Sequence, residues 1–266
     1  MTTRAPTTKR VPTTDGIPTV NPGASPEKPV PMNAMKRRYD FYRTARRVPE
    51  NSGVLRRHIM TPLIGEIPSR VPGLASIDRH VRERVFVQDL QLLNEVLGAT
   101  ACSGRYWVWS GMLLGWAREG RILRHDLRDA DFAYADEDEK LMRDGLDALV
   151  EAGFRRGFSL PNNAGVLTEH TVIRHGARFE FFRMSPIESH WEYHVYGTHQ
   201  RRPIQLTARV PQQQLERFDF LDRSWMKPLD HDSELTLLYG DWRTPDPNWD
   251  YLNTGGVVRR EEWTGG

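Results

Sequence analysis

Two aspartates one residue apart, Asp129 and Asp131, open directly onto the apolar run of residues 132–135 (FAYA). On an extended chain, residues i and i+2 share a face, so both carboxylates stand on one side of a strand that continues into a core. Two like charges at the mouth of a buried strand are costly unless a cation lies between them. Mg²⁺ suits the position, because it takes carboxylate and phosphate oxygens together; Mn²⁺ is the alternative. A lone Asp-x-Asp is commonly a solvated turn, and the apolar continuation is what distinguishes this one.

The surrounding pattern is that of a mixed α/β domain with one sheet and flanking helices. Residues 76–97 have apolar residues at helical spacing, with Ser76 as a cap. RYWVW (105–109) reads as a strand and residues 111–119 as a short helix. Residues 130–135 read as a second strand, and residues 136–152 as an amphipathic helix with acids in its first turn and Gly153 past its end. Strands follow at 154–160, 166–174 and 177–183, the last two joined by a His175-Gly176 hairpin turn. Further strands are expected at 191–196 and 204–210, then a helix over 230–239, after which the chain trails off in aromatics, prolines and glycines.

Charge divides the chain. Its formal charge is +2, yet residues 1–60 carry 12 Lys/Arg against 4 Asp/Glu, which leaves −6 for the rest. Residues 1–34 are rich in Pro, Thr and Gly and cannot bury enough apolar surface to offset their ordering entropy, so a disordered tail is expected there. Residues 35–75 form a basic arm expected to pack on the domain, with contact to a polyanion or an anionic membrane surface as the sharper alternative. The domain itself is expected over 76–266. A single cysteine, Cys102, excludes an intramolecular disulfide and reads as a small buried filler. No apolar run approaches the roughly 18–20 residues that span a bilayer, and no secretory signal is evident, so a cytoplasmic protein is expected.

The remaining chemistry clusters near the aspartate pair. Ser110 and Gly111 follow a strand and open a helix, whose first N–H groups can cradle phosphate. Glu180, within ARFEFFRMSP, is the candidate third carboxylate: Phe179 and Phe181 would face the core, leaving Glu180 with Arg178 and Phe182 on the other face. Glu169 is the next choice. His190 and His194 are four apart, but on a strand that spacing separates them by about 13 Å, so they read as surface hydrogen-bonding groups. No zinc-like Cys/His spacing, G-x-S-x-G elbow or G-x-x-x-x-G-K-[ST] loop is present.

The segment SGMLLGWAREGRILRHDLRDADF resembles the core of the LicD/fukutin family of nucleotidyltransferase-fold phosphotransferases. Gly111, Leu113, Leu114, Gly115, Arg118, Gly120, Ile122 and Asp126 fall on that family's Gly-Thr-Leu-Leu-Gly…Arg…Gly…Asp-rich pattern, which ends in Asp-x-Asp. Phe179-Glu180-Phe181-Phe182 resembles its later apolar-Asp-apolar-Phe strand. Tyr239, Gly240, Asp241 and Trp242, with the following TPDPNWDY and the preceding Pro228, resemble its C-terminal motif. The chain departs at Met112 (usually Thr), at Leu127-Arg128 (usually acidic) and at Glu180 (usually Asp). The resemblance implies a nucleotidyltransferase-like fold with a two-metal site, in which Asp129 and Asp131 hold Mg²⁺ and Glu180 ligates the second metal and helps deprotonate the acceptor hydroxyl, and phosphate contacts from Ser110 and Gly111. It further implies charge neutralisation by Arg118 or Arg124 and a supporting or substrate contact from Asp126. The implied reaction moves a phospho-alcohol from a CDP-linked donor to a sugar hydroxyl of a glycan. Two alternatives keep the fold: nucleotidyl transfer from an NTP, and a catalytically silent nucleotide-binding protein. Neutralising either Asp129 or Asp131 is expected to leave folding intact.

Overall fold

The computed structural model describes residues 74–200 and 202–265, with side chains from residue 80 onward. The expected tail and all but the end of the basic arm lie outside the described residues. The first helix, α1 (Leu74–Gly98), starts ahead of Ser76, which therefore sits inside it instead of capping it. Its buried stripe is Phe86, Leu90, Leu93 and Leu97, spaced three and four apart as a core-facing helix requires, whereas Val81 is exposed.

A mixed sheet follows the expected helix–strand order. β1 (Tyr106–Val108) pairs antiparallel with β2 (Asp129–Ala135), and β2 pairs in parallel with β5 (Ala177–Ile187). On the other side of β5 lie β4 (Leu167–Arg174) and then β3 (Arg155–Pro161). His175 and Gly176 are both left-handed (φ 45° and 79°), the geometry of a tight two-residue hairpin between β4 and β5. The far end of β5 leaves this set: Ser185–Ile187 pair with β6 (His190–His199), which pairs with β7 (Arg202–Pro211).

Three strands depart from the sequence expectation. β8 (Leu215–Phe220) and β9 (Arg223–Pro228) form a separate hairpin, and β10 (Val257–Glu262) adds to the edge of β7. The β8–β9 turn uses Leu221 and Asp222 at φ 54° and 57°, so it lacks the glycine that marks such turns in sequence. β10 reads VVRREE; its charges suit a solvated edge and hide its strand character. The C-terminal region thus returns to the sheet instead of trailing off.

The helices α2 (Ser110–Glu119), α3 (Glu139–Glu151) and α4 (His231–Tyr239) complete the fold. The acids at 136–138 form a 3₁₀ turn leading into α3. One sheet face, with Phe132, Tyr134, Phe179 and Phe181, is buried against α1, α3 and Trp225 of β9. The opposite face carries a second apolar cluster of Trp107, Trp109, Phe182, Tyr193 and Leu238. Among the described residues no helix is long and apolar enough to cross a membrane.

Cys102 is buried as expected, its Sγ 2.8 Å from the Leu141 carbonyl at the start of α3. Gly145, one turn on, leaves it room: a Cβ there would lie 2.5 Å from Cys102 Sγ and 2.9 Å from Leu97 Cδ2. Gly145→Ala should therefore destabilise the fold by about 1–3 kcal/mol in urea unfolding, despite alanine's better helix propensity. A neutral result would show that α1 and α3 pack less tightly than described.

Candidate metal centre

The parallel register of β2 and β5 sets Asp131 beside Glu180 and Asp129 beside Arg178. Alternation then aims all four side chains at the face away from α1 and α3, while their neighbours Phe132, Phe179 and Phe181 fill the core on the other side. One carboxylate oxygen each from Asp129, Asp131 and Glu180 lies within 4.8 Å of the others. These are hard oxygen donors from two adjacent strands, and the cluster could hold a metal ion. Thr171 Oγ1, directly across from Glu180 on β4, is buried with no hydrogen-bond partner among the described residues.

Arg178 lies among these acids. Its Nη2 donates to Asp129 Oδ2 at 2.7 Å and its Nη1 lies 3.1 Å from Glu180 Oε1. Burial opposes the charged guanidinium, but Glu180 and then Asp129 overcome that cost and raise its affinity for its proton. Glu169, two residues along β4 from Thr171, is also buried at this face. Burial first, then repulsion from Glu180, holds its carboxyl well above the usual range.

The turn into α2 closes one corner of the site. Trp109 N–H donates to the Asp131 carbonyl at 3.1 Å, extending the β1–β2 pairing. Ser110 then adopts φ 48°, an uncommon left-handed conformation for a residue with a Cβ. Its hydroxyl shares a 3.0 Å hydrogen bond with the phenol of the half-buried Tyr239. The next residue, Gly111, donates its N–H to Asp131 Oδ2 at 3.3 Å. A Cβ on Gly111 would lie 2.9 Å from Asp126 Oδ2 and 3.5 Å from Asp131 Oδ2, so glycine lets both carboxylates approach the helix start.

A cleft opens from this corner, between the sheet face and the C-terminal region. Its polar floor is Ser110, Asp131, Glu169, Arg178 and Glu180. Its walls are largely aromatic: Tyr193 packs edge-on to Trp109 with centroids 4.6 Å apart, and Tyr239 lies 4.6 Å from Trp249.

The structure therefore brings Asp129, Asp131 and Glu180 together, with Ser110 and Gly111 at their edge and Asp126 beside Gly111. Arg118 and Arg124 do not line the cleft. Arg118 reaches the Trp242 carbonyl (3.5 Å) and Glu119 (3.5 Å), and Arg124 is exposed in the α2–β2 connection. The cation at the cleft is Arg178, which the alternation in ARFEF already places on the face of Glu180. Trp249 and Tyr251 of the aromatic wall belong to the TPDPNWDY segment that carries the resemblance, but their place in the cleft depends on the return of the chain after α4. His194 is buried rather than at the surface, with burial lowering its affinity for a proton, and neither it nor His190 lines the cleft. Ser159, His170 and Glu139 form a hydrogen-bonded series (2.9 and 3.2 Å), with Tyr134 bonded to Glu139 at 2.6 Å. His170 pairs with Phe181 on the helix-covered face, so the series ties the start of α3 to the sheet, away from the cleft.

No protein-family model matches this chain, and no curated protein matches it in sequence.

Behind the cleft, Glu234 of α4 is buried, and its carboxyl accepts from Gln213 Nε2 at 3.2 Å. Burial is the main cause that pushes it up to about 7; the Trp109 indole opposes this and Asp230 adds to it. The folded value exceeds the unfolded 4.5, so the protonated group's stabilising contribution is fully present below about pH 4.5 and is lost as pH rises through about 7. Unfolding free energy should fall by about 3 kcal/mol between pH 4.5 and 8 on this account, and Glu234→Gln should remove that part of the slope. An unchanged slope in the variant would contradict the assignment.

The two aspartates are not equivalent. Asp129 is ion-paired with Arg178, whereas Asp131 accepts from a backbone N–H that an Asn oxygen could also satisfy. In EDTA, Asp129→Asn should cost about 1–3 kcal/mol, because it weakens a part-buried pair. Asp131→Asn should stay within about 0.5 kcal/mol of the wild type or exceed it. The pairing of Asp129 with Arg178 is what separates this expectation from one based on carboxylate repulsion alone. Equal losses in urea unfolding would contradict the distinction.

Proposed function

We propose that this chain is a divalent-metal-dependent phosphotransferase of the LicD/fukutin type. It would move a phospho-alcohol group, of the phosphocholine or phosphoribitol kind, from a CDP-linked donor to a sugar hydroxyl of a glycan. One observation carries the reading. The three separate segments that resemble the family, at residues 110–131, 179–182 and 239–251, converge on a single cleft with Asp131, Glu180 and Tyr239 in its lining.

The residues present fit a hard divalent cation. Asp129, Asp131 and Glu180 offer three carboxylates at mutual distances under 4.8 Å, and the orphaned Thr171 hydroxyl is buried beside them. These residues would hold Mg²⁺, or Mn²⁺ in its place; bound there, the cation would neutralise charge on the donor phosphates and polarise the phosphorus. The chain's own groups do the rest. Gly111 N–H fixes the orientation of Asp131. The aromatic walls exclude water, which would otherwise compete with the sugar hydroxyl as nucleophile. The acceptor oxygen would attack the donor phosphorus in line, the bond to the CMP oxygen would break, and the acceptor proton would pass to a carboxylate oxygen of Glu180. With its one cysteine buried beneath α3 and no disulfide in use, the fold suits a cytoplasmic setting.

The test is product analysis. Incubation with Mg²⁺, a CDP-linked alcohol and a glycan acceptor should release CMP, and Asp131→Asn should reduce turnover by about 10³-fold or more. Pyrophosphate release from an NTP would instead indicate nucleotidyl transfer. Nucleotide binding that is indifferent to both Mg²⁺ and Asp131→Asn would indicate a silent binding protein.

A further inference from the structure

We infer that Arg178 is a resident cation of the carboxylate cluster: it gives up Asp129 and Glu180 to a divalent cation and then holds a phosphate oxygen of the ligand in the cleft. The inference rests on the metal-dependent reading above and adds a role for a residue which that reading leaves unused.

Three observations carry it. First, the guanidinium engages two of the three groups that could hold a metal, through Asp129 Oδ2 at 2.7 Å and Glu180 Oε1 at 3.1 Å. A guanidinium and a divalent cation in contact with the same two carboxylates repel one another strongly in so poorly hydrated a site, so occupancy by one disfavours the other. Second, among the described residues lining the cleft Arg178 is the only cation, facing Asp131, Glu169 and Glu180 there. Without Arg178 the metal-free protein would bury several carboxylates against one another; the arginine offsets that repulsion. Third, Arg178 is anchored by its backbone, with its N–H donating to the Arg128 carbonyl at 2.9 Å, while its side chain reaches the cleft. Released from its carboxylates, a planar guanidinium at this position presents paired N–H donors that match two oxygens of one phosphate. A single residue thus serves as the counter-ion in one state and the anion receptor in the other, and metal and phosphate binding become linked through it.

The experiment is a pair of calorimetric titrations on the wild type and on Arg178→Gln: Mn²⁺ alone, then CDP into the Mn²⁺-saturated protein. The variant should bind Mn²⁺ at least about fivefold tighter, because the competing cation is gone, and bind CDP at least about fivefold more weakly. Its melting temperature should also rise more on Mn²⁺ addition than that of the wild type. A residue that merely supports the fold would not produce opposite signs in the two titrations. Unchanged or weaker Mn²⁺ binding, or unchanged CDP binding, overturns the inference. If Arg178→Gln does not fold, Arg178→Lys keeps the charge but not the paired geometry. It should bind CDP more weakly while retaining Mn²⁺ affinity within about twofold, and undiminished CDP binding in that variant overturns the inference equally. Failure of the two readings is distinguishable. If wild-type protein binds no Mn²⁺, or if Asp131→Asn binds it as well as wild type, the metal centre itself is wrong and this inference falls with it. If Mn²⁺ binds through Asp131 but Arg178→Gln changes nothing, only the role of Arg178 is lost.

Discussion

The parallel pairing of β2 with β5 is the constraint on which the rest of the molecule depends. It aligns Asp131 with Glu180 and Asp129 with Arg178, and it does so because Phe132, Phe179 and Phe181 must all enter the core on the opposite face. A slip of one residue would turn the aromatics into the cleft and the carboxylates into the core. The apolar cost of that slip is what secures the polar site. The hydrophobic packing against α1 and α3 and the geometry of the acids are thus two consequences of one register.

Electrostatics then decides how such a site survives without a ligand. Acids drawn together at a half-buried face would destabilise the fold if each stood alone. The chain meets this with Arg178 between Asp129 and Glu180, with a backbone N–H from Gly111 on Asp131, and with burial that raises the proton affinity of Glu169. The left-handed Ser110, braced by Tyr239, belongs to the same arrangement, since it sets the direction in which α2 leaves β1. Local backbone strain at such a corner is tolerated where surrounding contacts enforce it.

Much of this was legible in the sequence. Alternation in DADFAYA and ARFEFFR announced two half-polar strands, and in both cases the polar residues face the same side as expected. The His175-Gly176 turn and the helices at α2, α3 and α4 were marked by turn chemistry and periodicity. What escaped was set by tertiary context. The β8–β9 turn relies on Leu221 and Asp222 in left-handed conformations, and β10 is so charged that only its pairing with β7 identifies it. Trp249 and Tyr251 were marked by the C-terminal resemblance, but they gain their place in the cleft only from that return of the chain. Charge neutralisation was expected from Arg118 or Arg124, because the resemblance pointed to the segment after the glycine. In the fold neither side chain lines the cleft, and Arg178, two residues before Glu180, stands in it.

The account's central claim is that Asp129, Asp131 and Glu180 jointly bind a divalent cation. A crystal grown with Mn²⁺ and examined by anomalous diffraction tests this most directly. The account predicts one strong anomalous peak within ligating distance of carboxylate oxygens from all three residues, with the Arg178 guanidinium moved off Asp129 and Glu180. A Mn²⁺-soaked crystal with no peak at this cluster, and with Arg178 still bridging the two carboxylates, would contradict it.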